Sequence, residues 1–397
     1  MRSTDSSGPS SPFASLGRSV FGFRREQVHS TGSNPDSDLV DSMLESFQKQ
    51  VTDRFHELSG VSDDELLSIP WVCKLLDAFI CCQDEFKLIL LSNKELIVKH
   101  PTDRMVNEFF EKSVKALDIC NATRDGIEKV RLWLKHLDIV MSALASGQRT
   151  IGEGQVRRAR KALVDLALGM LEEKDNSSVS VLSHRHRSFG RHTASKDHSQ
   201  HRLQRPGHSR SLSWSVSRSW SAAKQLQSIA NNLVPPRASE IIATSGFAIP
   251  LFTVSFVLAF VLWALVAAIP CQDRGININF SVPRNFPWAG SILSLHERIL
   301  EESRKRNHKN ANGLLKEIYQ MEKCTEHLTD LLDFVHFPLT EEQNIEIERQ
   351  VEELGLVCEA LVKGLEPLEL QVREMFRRIM NCRTEGLEFL FRAGSMD

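Results

Sequence analysis

Cys324 and His327, three residues apart on a helical face, offer a thiolate and an imidazole, half the ligand set of a zinc site. No second pair follows at matching spacing, so Cys324 reads as a core thiol and His327 as a surface side chain. Gly152-Glu153-Gly154 lacks the third glycine and the preceding strand of a dinucleotide-binding turn. Asp36, Asp38 and Asp41 have the spacing that begins a calcium loop, without its glycine or distal glutamate, and fit the start of a helix better. His184-Arg185-His186 lies in a basic tract that offers adventitious metal contact at most. No P-loop, H-E-x-x-H, G-x-S-x-G or kinase signature is present. The sequence therefore predicts no enzyme, no catalytic residue, no cofactor, no metal and no small-molecule substrate.

One regulatory signal stands out. Arg210 precedes Ser213 by three residues and Arg218 precedes Ser221 by three, a spacing that suits basophilic kinases. Ser211, Ser213 and Ser221 are the candidate phosphorylation sites. Trp214 and Trp220 between them are candidate anchors to a membrane interface or a partner. From His184 to Lys224 nine Lys/Arg face a single acid, Asp197. Each phosphate would bring about −1.5 to −2 charges to that tract and weaken any attraction to anionic lipid.

The elements that must position these residues start from a gap in the charges. Among 397 residues, with 49 Lys+Arg against 51 Asp+Glu, none between Ile241 and Gln272 is charged. The near-neutral total excludes a nucleic-acid binder that is basic throughout. Phe247 to Ile269 is apolar enough and long enough to cross a bilayer core, which takes about 20 residues. Its polar atoms, Thr253 and Ser255, can bond back to their own helix. Pro250 sits near the start and Pro270 where the helix should stop. The expected membrane-facing residues are Phe247, Pro250, Leu251, Phe256, Phe260, Trp263, Leu265 and Ile269. A fully buried helix of a large bundle is the competing reading. Flanking charge is two against two and leaves topology open, and the basic tract argues for a cytosolic N-terminal half. Membrane lipid is an expected partner, with the chain single-pass or peripheral.

Around this segment the periodicity is helical and strand-like alternation is absent. Residues 1–36 are rich in Ser, Gly and Pro and expected to be disordered. Residues 37–175 carry apolar stripes at three- and four-residue spacing, among them Phe47, Val51, Phe55 and Leu58, and read as an N-terminal helical bundle. Ser62 and Glu65 have the spacing of a capping box. Residues 176–224 form a basic Ser/His-rich linker too polar to fold alone, residues 241–270 the hydrophobic membrane helix, and residues 289–393 a C-terminal helical region whose runs are punctuated by Pro338 and Pro367. The eight cysteines, most of them among apolar residues and none in a C-x-x-C pair, read as reduced thiols. The predicted fold is all-α: a helical bundle in two halves joined by a disordered basic linker and one hydrophobic, transmembrane helix.

Four stretches carry a resemblance. PWVCKLLDAFICCQDEFKLIL (Pro70 to Leu90), FFEKSVKALDICNATRDGIEKVR (Phe109 to Arg131), SLSWSVSRSW (Ser211 to Trp220) and SPFASLGRSVFGFRREQVHS (Ser11 to Ser30) resemble the plant BYPASS-related proteins, more closely their ROH branch. The resemblance spans nearly the whole chain and implies a helical plant protein with a membrane segment. It also implies a role in which some relatives contact an exocyst subunit, regulating exocytosis, while others restrain a long-distance root-to-shoot signal. No catalytic residues come with it.

Overall fold

Apolar stripes at helical spacing can be buried only against one another, and the architecture follows from how they pair. The computed structural model describes residues 35–145, 151–175, 221–231, 233–271, 278–306 and 312–394. Among them there are eleven helices and no strand. α1 (Pro35–Ser59) buries the predicted stripe of Phe47, Val51, Phe55 and Leu58. α2 (Ile69–Ser92) opens at Ser68, whose Oγ accepts the Trp71 amide at 3.3 Å. Pro70 stands in its first turn, where a missing N–H is harmless.

The capping box at Ser62 and Glu65 does not start a helix. Residues 63–67 form turns, and Leu67 takes a φ of +63°. Asp63 and Asp64 pair with Arg298 at 2.7 Å and Lys316 at 3.1 Å instead. The turn carries Leu66 and Leu67 into the core, and that burial outweighs a local cap worth about 1 kcal/mol.

After the short α3 (Lys94–Ile97), α4 (Thr102–Leu144) runs as one helix of 43 residues. α5 (Glu153–Asp175), α6 (Ala222–Ala230), α7 (Ala238–Ala243) and α8 (Ala248–Ala268) follow. The C-terminal part holds α9 (Ala289–Lys305), α10 (Lys316–Asp333) and α11 (Glu341–Gly394). α11 runs for 54 residues straight through Pro367, a length of about 80 Å. An interior proline costs about 3 kcal/mol. Leu361, Leu365, Leu368 and Val372 are all buried on either side of it, so the packed face carries the helix past the break.

Four helices form a ring in which α2 touches α8, α8 touches α4, α4 touches α11, and α11 returns to α2. α1, α6 and α9 cover the outer side of α8, while α5 and α10 lie against α4 and α11. The N-terminal bundle and the C-terminal region, expected as two halves, are interleaved. Ion pairs join them along α11: Lys87–Glu385 at 2.7 Å, Arg378–Asp84 at 3.0 Å and Arg131–Glu369 at 2.6 Å.

Candidate functional site

α8 is the feature that separates this bundle from an ordinary amphipathic one. It has no polar face, and its most apolar 18 residues have a mean hydropathy of 2.5 and are 94% buried. By length and composition it meets the requirements of a bilayer span and of a core helix alike.

Every residue expected to face lipid is surrounded by protein in the structure: Phe247, Pro250, Leu251, Phe256, Phe260, Trp263, Leu265 and Ile269 are all buried. Phe260 meets Phe55 of α1 edge-on at 6.0 Å, Phe256 lies 5.1 Å from Trp288, and Trp263 lies 4.5 Å from the His296 ring of α9. Ile269 and the Pro270 carbonyl close onto Gly126 of α4, where a Cβ would collide with both.

The polar atoms of α8 are satisfied specifically. Ser255 donates to the Leu251 carbonyl at 2.7 Å, as its sequence position predicts. Thr253 does not bond back to its own backbone. It accepts from Gln48 Nε2 of α1 at 2.9 Å, while Gln48 Oε1 accepts from the Trp288 indole N–H, also at 2.9 Å. All three side chains are buried. The helix ends are closed by protein too. The Ala248 amide donates to Thr244 Oγ1 at 3.1 Å, and the carbonyls of Ala267 and Ala268 accept from the amides of Leu314 and Leu315 at 2.9 and 3.0 Å. Gly313, with a φ of +133°, allows that approach to the Ala268 carbonyl.

Gln48, Trp288, Gly126 and Gly313 were missed by sequence reasoning. A signal existed for Gln48, because it falls between Leu44 and Val51 on the apolar face of α1, where an amide needs a buried partner.

Among the described residues no group of three His, Cys, Asp or Glu can hold a metal ion. Cys324 is buried in α10 and His327 is exposed, so the pair faces two environments. Burial pushes the thiols of Cys82, Cys120 and Cys382 up to about 12, and those of Cys73 and Cys358 to about 11. Such thiols are poor nucleophiles and poor ligands at neutral pH. Gly152-Glu153-Gly154 opens α5, its Gly152 amide donating to Gln155 Oε1 at 2.8 Å. Asp36, Asp38 and Asp41 lie in the first turns of α1.

Of the regulatory candidates, Ser211, Ser213, Trp214 and Trp220 lie outside the described residues. Ser221 is the N-cap of α6, its Oγ accepting the Lys224 amide at 3.2 Å, and it is 3% exposed. A kinase would reach it only after this helix start opens.

Comparison with known proteins decides the family. The sequence model described as Protein ROH1-like matches residues 8–390. The chain belongs to the ROH1-like family. It is 54% identical over 385 residues to Protein ROH1D of Arabidopsis thaliana, covering 94% of this chain and 96% of that one. It is 37% identical over 382 residues to Protein ROH1A of the same plant, covering 89% and 91%. No solved structure matches it. The packing stretches Pro70 to Leu90 and Phe109 to Arg131, which carried the resemblance, form α2 and much of α4, the two ring helices on either side of α8.

Proposed function

We propose that this ROH1-like chain is a non-catalytic interaction protein that regulates exocytosis through contact with an exocyst subunit, and that it reaches membranes peripherally, with α8 serving as the core of its bundle. The Gln48–Thr253–Trp288 network is the observation that carries the role of α8. A helix evolved for hydrocarbon has no use for a hydroxyl held by an amide from a charged, amphipathic neighbour, and detaching it would leave the Thr253 hydroxyl and the Gln48 amide N–H without each other. The family resemblance supplies the exocyst subunit as partner. Apolar side chains left exposed along α11, Leu356, Val362 and Leu370, support contact with a protein. Attraction to anionic lipid falls to the basic tract between His184 and Lys224.

The alternative within the same fold is a regulator of root-to-shoot signalling that never engages a membrane. Alkaline carbonate extraction of plant microsomes tests the role of α8: release of the tagged full chain into the supernatant is expected, and retention in the pellet would overturn the peripheral reading in favour of a span. Co-precipitation from the same extracts tests the partner, with enrichment of an exocyst subunit over an unrelated tagged protein as the expected result. Salt-sensitive flotation with anionic vesicles separates peripheral membrane association from the signalling alternative, which predicts no flotation at any ionic strength.

A further inference from the structure

α7 is a helix of six residues that stands ahead of α8, and none of its residues is buried. Isolated helices shorter than about 12–15 residues are marginal in water, so this one depends on how its ends are closed. At its start Glu240 accepts the Arg237 amide at 2.7 Å. At its end Ser245 and Gly246 take φ of +46° and +86°. Their amides donate to the Ile242 and Ile241 carbonyls at 3.2 and 2.8 Å, the paired bonds of a left-handed helix stop. Pro235 and Pro236 fix the backbone on the way in. Residues 233–246 therefore form a small tip held by its own hydrogen bonds, set off from α8 by a sharp turn.

The side chains that this tip presents are apolar. Ile242 is 80% exposed and Val234 71%, and Ala238 and Ala243 are exposed beside them. Only Arg237 and Glu240 are charged between residues 233 and 246. Arg237 is exposed, whereas the Glu240 carboxylate is taken up at the start of α7. Two large apolar side chains make too small a patch for a stable protein interface, which buries about 800 Å² on each partner. They suit a wedge that enters the headgroup and acyl boundary of a bilayer to a depth of about 5–10 Å, with the guanidinium kept at the level of the phosphates. The chain that leads into the tip supplies the matching charge. The tract from His184 to Lys224 holds nine Lys/Arg against one acid, and it ends in α6, which Ala222, Leu226 and Ile229 bury in the bundle. From Lys224 to Val234 the chain spans at most about 25 Å, so cations and wedge can meet one membrane face. Each signal alone binds a bilayer weakly, and stable attachment takes two.

We propose that the tip of residues 233–246 inserts Val234 and Ile242 into the interface of an anionic bilayer, with Arg237 among the headgroup phosphates. This rests on the peripheral membrane reading above and adds the element that touches the acyl chains.

Flotation of the full chain with phosphatidylcholine vesicles containing phosphatidylserine tests it, at low salt and at 1 M salt, where charges are screened beyond about 3 Å. The wild type should float at low salt and keep a smaller, salt-resistant share carried by the wedge. Val234→Ser with Ile242→Ser should weaken partitioning by about tenfold at low salt and remove the salt-resistant share. Ile242→Trp should strengthen it by about threefold or more, because indole prefers the interface. Both positions are exposed, so the variants should melt as the wild type does, and Ile242→Trp decides the matter if the double variant melts early. A wild type that floats at no ionic strength would overturn the peripheral reading and the wedge with it. A wild type that floats, with folded serine and tryptophan variants that float equally at both salts, would overturn the wedge alone and leave the basic tract as the membrane contact. Loss of exocyst-subunit co-precipitation by a serine variant that floats normally would likewise overturn it, assigning the tip to a protein.

Discussion

At the scale of single residues, the molecule is decided by how few polar atoms its core contains and how each is held. Gln48 is the hinge of that arrangement, since its amide serves both Thr253 and Trp288. Gln48→Ala should orphan the Trp288 indole N–H and the Thr253 hydroxyl and open a small cavity, lowering stability by about 2–4 kcal/mol. Urea unfolding followed by circular dichroism measures it, and a loss below about 0.5 kcal/mol would mean the amide is not buried as described. His296 makes a second prediction. Its Nε2–H donates to the Ile278 carbonyl at 2.9 Å, its ring packs on Trp263 and Phe280, and burial lowers its pKa. The folded state thus favours the neutral ring. Its contribution is present above the unfolded value of about 6.5 and is lost as pH falls from there through the lower folded value. Melting temperature should drop over that interval in the wild type and drop less in His296→Phe.

At the scale of elements, periodicity made the helices legible and packing set their limits. The stripe of α1 was readable because Phe47, Val51, Phe55 and Leu58 repeat at helical spacing and all face the core. The start of α2 was not, because the fate of Asp63 and Asp64 depends on Arg298 and Lys316, more than 200 residues away in sequence. The continuity of α11 through Pro367 was hidden for the same reason: proline is a local signal, and the apolar face that overrides it is supplied by α2 and α4. The surroundings of α8 were equally illegible, since an all-round apolar helix satisfies a bilayer and a core by the same composition. Pro367→Ala should restore a helical hydrogen bond without disturbing the buried leucines. It is expected to raise stability by about 1–3 kcal/mol, read as a higher urea midpoint at unchanged slope. Gly126→Ala should do the reverse, because the new methyl meets Ile269 and the Pro270 carbonyl where α4 and α8 close on each other. A loss of about 1–3 kcal/mol is expected, and an unaffected midpoint would show that the two helices do not meet there.

At the scale of the whole molecule, the ring of α2, α8, α4 and α11 cannot be assembled from either half of the chain. α2 and α4 come from the N-terminal part, α8 from the middle and α11 from the end, and Lys87 meets Glu385 across 298 residues. Segments this far apart in sequence form contacts only after a large loss of chain entropy, so the contacts must form together. Residues 37–175 alone would leave the faces of α2 and α4 that receive α8 and α11 open to water, Phe86, which packs on Phe247, among them. Isolated, this fragment is expected to keep much of its helical circular dichroism, bind a hydrophobic dye and melt without a cooperative transition. Adding a separately produced 221–397 fragment should then restore a cooperative melt and displace the dye, because the missing ring positions are refilled. Cooperative unfolding of residues 37–175 by themselves, with no dye bound, would make the N-terminal bundle an independent domain and reduce the ring to a contact between two finished units.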